Sequence, residues 1–256
     1  MIGSSGCAGT FNCSDFEDGL GVVSGSGQID NTIGYNSSSS VRMNTGQEFL
    51  EIDIPSSNFW ARVFIRGGVG PNNENAFSLA HGTLLRARDG GRQMRVGDHR
   101  CQLEINRDGG DWDDFEMTSG FYGVDPCQQT FGARMKPDIW YCLEAHFDGQ
   151  NSEIQVFWDN QNVEQLHVTA ERIVTNADKH DGQYGDPNRL WGPSNYTVLQ
   201  FGHETYFGND SNTFWYDNVA TSLDRIGCGS DYQINLPLDD STRYPGYAEE
   251  EGLLGN

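Results

Sequence analysis

The stretch LAHGTLLRARDGGRQMRVGDHRCQLEIN, residues 79–106, decides how the chain is read. Short apolar alternations broken by Gly and Asp predict three strands joined by two turns, Asp89-Gly90-Gly91 and Gly97-Asp98. Six of the chain's 16 Lys and Arg lie in this stretch or adjoin it: Arg86, Arg88, Arg92, Arg95, Arg100 and Arg107. His81, His99, Gln102 and Glu104 are interleaved with them. Strand side chains alternate between faces, so Cys101, Leu103 and Ile105 are assigned to a core. Arg100, Gln102, Glu104 and Asn106 then line the opposite face, and Gln93 and Arg95 alternate in the same sense. A solvated sheet face is one reading of such a row. A groove for sugar hydroxyls and uronate carboxylates is the other, because the arginine fork matches a carboxylate.

Outward from this stretch the chain continues as strands. Phe59, Ala61, Val63 and Ile65 share one face of FWARVFI, with Trp60, Arg62 and Phe64 on the other. IWYCLEAHF (139–147), EIQVFW (153–158) and VEQLHV (163–168) form a meander with turns at Asp148–Asn151 and Asp159–Asn162. TVLQFGH (197–203) and TFWYDNVA (213–220) are the last strands, and residues 20–40 read as loop. Turn signals about every ten residues, without a helical pattern, predict an all-β sandwich. The expected organisation is a leader at 1–14, one domain at 15–228 and an acidic tail or linker at 229–256.

Composition narrows the partners. The net charge of −21 disfavours nucleic acid, which needs a basic footprint. No apolar run is long enough for a membrane helix. The six cysteines form no C-x-x-C pair, so disulfides in an oxidising, extracellular setting are expected rather than a metal site. Fifteen pairings are open, and Cys7–Cys13, Cys101–Cys127 and Cys142–Cys228 are taken as the working set. The expected molecule is a secreted monomer with a polysaccharide ligand.

The chemistry that fits the Arg, Gln, Asn and His row is β-elimination on a uronic-acid polysaccharide. A proton α to a carboxylate is weakly acidic, so the enzyme must neutralise the carboxylate and supply a base and an acid. Arg95 or Arg100 with Gln102 are candidate neutralisers, His81 the candidate base, and Tyr206 the acid or base. His203 and Glu204 form a second polar group with Tyr206, although Gly202 leaves the face of His203 undecided. A third group joins the chain ends. Carboxylates from Asp15-Phe16-Glu17-Asp18 and from Trp215-Tyr216-Asp217-Asn218-Val219, with oxygens from the Asn36–Ser40 segment, would give the oxygen-only shell that calcium prefers. No G-x-S-x-G, P-loop or H-E-x-x-H motif is present.

DFEDG (15–19), RVGDHRCQLEINRD (95–108), IWYCLEAHFDGQNSEIQVFWD (139–159) and the closing FGHETYFG with TFWYDNVATSLDRIGC (213–228) resemble the cellulose-induced secreted proteins of cellulolytic fungi and their bacterial relatives. The resemblance spans about residues 11–228. It implies a β-jelly-roll of two antiparallel sheets, concanavalin A-like, one of them concave, and kinship with glucuronan and alginate lyases. It implies a structural calcium held by Glu17 and Asp217, with Asn36 and Ser40 as further candidate ligands, and a Cys142–Cys228 disulfide. It places His81, Thr83, Arg95, Gln102 and Tyr206 in or near the groove; Gln93, Arg100, Glu104, Asn106, His203 and Glu204 are the candidate substrate contacts read from the residues themselves. The Q-I-H and Y-F-K-A-G-x-Y patterns of jelly-roll lyases are absent. Two functions therefore stand side by side: a lyase for a glucuronan-like polyuronate, and a non-catalytic carbohydrate-binding or accessory protein in cellulose or plant-wall breakdown.

Overall fold

A computed structural model describes residues 10–44, 47–69, 82–99, 102–108, 115–118, 135–169, 195–205, 212–230 and 232. Fifteen strands are described among them. In chain order they are β1 (Asn12–Ser14), β2 (Ser24–Gly25), β3 (Gln28–Asp30), β4 (Ser40–Asn44), β5 (Gln47–Asp53), β6 (Asn58–Gly67), β7 (Gly82–Arg88) and β8 (Gln93–His99). The others are β9 (Gln102–Asp108), β10 (Phe115–Thr118), β11 (Trp140–Asp148), β12 (Glu153–Trp158), β13 (Gln161–Val168), β14 (Val198–Thr205) and β15 (Thr213–Ser222). One sheet has the order β13-β12-β11-β6-β15-β4-β3, with β1 paired to β15; the other runs β10-β9-β8-β7-β14-β5-β2. Every described pairing is antiparallel. This is the two-sheet sandwich of a jelly roll. Among the described residues no helix is long and apolar enough to cross a membrane.

The core fills the space between the sheets. Phe59, Ala61, Val63 and Ile65 of β6 face Leu85 and Ala87 of β7, Met94 and Val96 of β8, and Leu103 and Ile105 of β9 in one buried cluster. Phe59 stacks on Phe147 with ring centres 5.2 Å apart. Period-two alternation thus holds where it was read.

Three sequence expectations need correction. Gly97 and Asp98 are not a turn: β8 runs through them to His99. Residues 12–14, read as leader, form β1 on the edge of β15, because the alternating NCS segment satisfies backbone groups there. The loop read at 20–40 holds the short strands β2 and β3.

Cys142 and Cys228 form a disulfide. Cys13 is also disulfide-bonded, and its partner lies outside the described residues, as do Cys7, Cys101 and Cys127. The chain after β15 is strapped over the outer face of the first sheet. Ile226 N and Gly227 N donate to Glu144 Oε1 at 2.9 and 2.8 Å, and Arg225 Nε donates to Glu144 Oε2 at 2.9 Å. Cys228 N donates to Asn160 Oδ1 at 2.9 Å, and the Tyr232 hydroxyl donates to Asp159. Contacts to the first sheet therefore continue beyond Cys228, at Tyr232.

Candidate functional site on the outer face of the second sheet

Residues of β7, β8, β9 and β14 that point away from the core are polar and nevertheless buried. Thr83, Arg95, Gln102, Glu104, Asn106, Gln200 and Glu204 are each exposed by 6% or less. Register sets them in rows. Asn106, Arg95, Arg86, Gln200 and Glu51 are successive cross-strand partners over β9, β8, β7, β14 and β5. Five strands at ~4.8 Å spacing give a row about 19 Å long. Glu104, Gly97, Thr83 and Glu204 form the neighbouring row.

Two bulges lie side by side at that second row. β7 shifts register between Thr83 and Leu85 against β8, and β14 shifts between Phe201 and Glu204 against β7. Bulges re-aim side chains. Here they bring Thr83 and Glu204 opposite each other.

A charge-linked chain runs along the first row. The Arg86 guanidinium donates from Nη1 to Glu204 Oε2 at 3.0 Å and from Nε to Gln200. It also lies over the Phe49 ring, 3.9 Å from its centre. Gln200 donates to Glu51, which accepts from Arg88 Nη2 at 3.2 Å. Gln200, Glu51 and Phe49 were not singled out in the sequence, and Arg86 was singled out only as one of the clustered arginines. Their partners are up to 149 residues away in the chain, so no local pattern reveals them. Among the described residues, Thr83 Oγ1 and Asn106 Oδ1 of this face have no hydrogen-bond partner. A buried polar atom left so costs about 1–3 kcal/mol, which a hydroxyl-rich ligand would recover.

The sequence candidates divide. Arg95, Gln102, Glu104, Asn106, Thr83 and Glu204 come together on this face, with Gln93 at its margin on β8, paired to Arg88. His81, Arg100 and Tyr206 lie outside the described residues. His81 and Tyr206 adjoin Gly82 and Thr205 in sequence, and those two are register partners on β7 and β14. His203 does not belong to the face. It shares the core side with Phe201, and its ring lies 4.3 Å from Phe214.

His203 is fully buried and neither ring nitrogen has a hydrogen-bond partner. Burial pushes its pKa down from 6.5 to about 4. Above pH 6.5 the group is neutral in both states and contributes nothing to pH dependence. Between pH 6.5 and 4 the unfolded chain takes up a proton that the folded chain refuses, so stability falls. The expected loss is about 3 kcal/mol by pH 4. Urea unfolding at pH 7 and at pH 4.5 should show this slope in the wild type and its absence in His203→Leu.

At the chain ends two carboxylates grip one segment. Glu17 Oε1 accepts from Ser38 N and Ser39 N at 3.0 and 2.6 Å, and Oε2 from the Ser38 hydroxyl at 2.8 Å. The Ser38 hydroxyl foremost holds the Glu17 pKa below its ordinary value. Asp217 Oδ2 accepts from Tyr35 N at 2.6 Å and the Ser37 hydroxyl at 3.0 Å. Burial pushes Asp217 up to about 7, and Asp15 adds repulsion. Asn36 is exposed with φ 53°, and the Ser40 hydroxyl donates to the Ile33 carbonyl at 2.5 Å. Among the described residues no three His, Cys, Asp or Glu cluster as a metal-binding group. The donors fit calcium in kind, since all are oxygens and a desolvated carboxylate favours a neighbouring cation. Carbonyl and hydroxyl oxygens would have to complete such a shell.

Comparison with known proteins places this geometry. The Cip1-like core domain of the polysaccharide-lyase-like group matches residues 14–224. The solved structure of the cellulose-induced protein Cip1 superposes with a TM-score of 0.62 at 21% identity, covering 85% of this chain and all of that one. A structure of botulinum neurotoxin type C, whose cell entry depends on interaction with two ganglioside molecules, shares the fold at TM-score 0.50 and 10% identity. It covers 82% of this chain and 44% of the toxin chain. The receptor-binding domain of botulinum neurotoxin type G gives TM-score 0.50 at 7% identity, over 84% and 48% of the two chains. No curated protein matches. The family match begins at the end of β1 and runs past the end of β15, taking in the whole polar face, so the chain belongs to the Cip1-like, polysaccharide-lyase-like core-domain family.

Proposed function

We propose that the protein is an extracellular polysaccharide lyase that cleaves a uronic-acid polysaccharide by β-elimination on the outer face of the second sheet. The carrying observation is the buried polar face itself, with Thr83 Oγ1 and Asn106 Oδ1 unpartnered beside Arg95. A buried polar atom without a partner calls for an explanation, and the hydroxyls of a sugar ligand supply one. In this reading Arg95, Gln102 and Asn106 hold the uronate carboxylate and stabilise the charge that builds when the α-proton leaves. His81 and Tyr206 supply base and acid. Both roles are assigned from the sequence; the described residues next to them in the chain, Gly82 and Thr205, are register partners on β7 and β14. The proton passes from the α-carbon to the base, the glycosidic C–O bond breaks, and the acid protonates the leaving oxygen. No water is consumed, so the product carries a carbon–carbon double bond. Incubation with uronate-bearing polysaccharides tests this: ultraviolet absorbance of an unsaturated uronate is expected. Binding without any such product on every polymer would support the accessory, non-catalytic reading instead. The Cys142–Cys228 disulfide supports an extracellular setting.

We propose in addition that calcium binds between Glu17 and Asp217 and ties β1 and β15 to the 35–40 segment. Chelation with EDTA should then lower the melting temperature. A site kept at 100 times its dissociation constant contributes about 2.7 kcal/mol, or roughly 5–10 °C for a chain this size. An unchanged transition in a calorimeter would remove calcium from the account.

A further inference from the structure

Among the described side chains of the polar face, arginines and glutamates are equal in number. Its described side chains include three arginines, Arg86, Arg88 and Arg95, and three glutamates, Glu51, Glu104 and Glu204. Arg86 is paired with Glu204 at 3.0 Å and Arg88 with Glu51 at 3.2 Å. Asp53, in phase with Glu51 on β5, adds a further carboxylate at the margin. The same face also carries five described neutral hydrogen-bonding side chains: Thr83, Gln93, Gln102, Asn106 and Gln200. Around all this the chain carries −21.

A homopolyuronate brings one carboxylate for every sugar. Laid along a row of about 19 Å, it would set several carboxylates against described side chains that carry no surplus positive charge. The surrounding negative field would slow its approach as well. A single carboxylate is different. One guanidinium, helped by the Gln102 and Asn106 amides, can hold it, while hydroxyls of neutral sugars satisfy the remaining polar groups. We propose that the substrate is a sparsely charged polysaccharide, a neutral backbone bearing isolated uronates, and that Glu51 and Glu204 set this preference by neutralising Arg88 and Arg86. The inference rests on the reading of this face as a lyase site and departs from the glucuronan-like substrate that the resemblance implies.

Three polymers test it: a homopolyuronate, a neutral-backbone polysaccharide with scattered uronates, and the latter after carboxyl reduction. Binding is read by affinity electrophoresis at low and high salt, and chemistry by absorbance of the unsaturated product. The sparsely charged polymer should be bound and cleaved about tenfold better than the homopolyuronate at low salt. The gap should narrow as salt screens the repulsion. Glu51→Gln and Glu204→Gln, which keep shape and remove charge, should each move the ratio toward the homopolyuronate. Glu51 has a side chain 39% exposed, so its variant carries the test even where Glu204→Gln disturbs folding. A homopolyuronate preferred at low salt, with binding that weakens as salt rises, overturns the inference and leaves the lyase reading intact. So does a ratio unmoved by Glu51→Gln. Absence of unsaturated product on every polymer ends the lyase reading, while the order of binding still decides this one.

Discussion

Arg95→Ala should lower turnover of a uronate-bearing polysaccharide by about 10²–10³-fold, the typical cost of deleting one donor that stabilises developing charge. The elimination builds negative charge on the substrate carboxylate as the α-proton leaves. Arg95 stands between Asn106 and Arg86 in the cross-strand row and is almost wholly buried. Its low-dielectric surroundings strengthen each charge interaction it makes. Arg95→Lys keeps the charge and loses the planar fork, so it should recover only part of the rate. The loss should fall mainly on kcat, because the interaction grows in the transition state. Asn106→Leu, which removes an amide of similar size, should cost less. A defect confined to KM would assign Arg95 to binding alone. Arg95 is buried, so circular dichroism and a melting curve belong beside the kinetics.

Gly97→Ala should destabilise the protein by about 3 kcal/mol or more, which lowers the melting temperature by roughly 6–12 °C. A Cβ at position 97 would stand 1.9 Å from the Gly82 carbonyl oxygen and 3.0 Å from the Thr83 Cα. Both are backbone atoms and cannot rotate aside. The cause is the bulge in β7, whose extra residue between Thr83 and Leu85 presses that strand's backbone onto β8. Gly82→Ala should cost less. Its Cβ meets the Asp98 carboxylate oxygen at 2.3 Å, and a side chain can move. Urea unfolding should rank Gly97→Ala as the more damaging of the two. Wild-type stability in Gly97→Ala would contradict the bulge geometry, and with it the alignment of Thr83 and Glu204.

Alternation made much of the fold and half of the site legible. Period two in QLEIN put Leu103 and Ile105 in the core and Gln102, Glu104 and Asn106 opposite, and the sheet has them so. The same rule failed at Gly97-Asp98, where Gly-Asp reads as a turn. Gly97 is there because β7 approaches too closely for a side chain. At His203 the sequence left the face undecided, and listing it as a substrate contact proved wrong. Parity along β14 follows Phe201 across Gly202, so His203 lands in the core while the adjacent bulge turns Glu204 outward. Arg86 and Arg88 were counted as part of a basic patch. Pairing with Glu204 and Glu51 removes most of that character. Such pairs depend on strand order, with β7 beside β14 and β14 beside β5, and strand order is long-range information that local pattern does not carry. The Glu17 and Asp217 ends do approach one segment, as the chain-end argument expected, and each is capped by backbone N–H groups there.

The central claim is that this face carries out elimination rather than binding alone. Mass spectrometry of the products from a uronate-bearing polysaccharide tests it most directly. Elimination predicts fragments ending in an unsaturated uronate, each lighter by one water than a hydrolytic fragment, and their loss in Arg95→Ala. Hydrolytic ends, or an intact polymer that stays bound, would contradict the account.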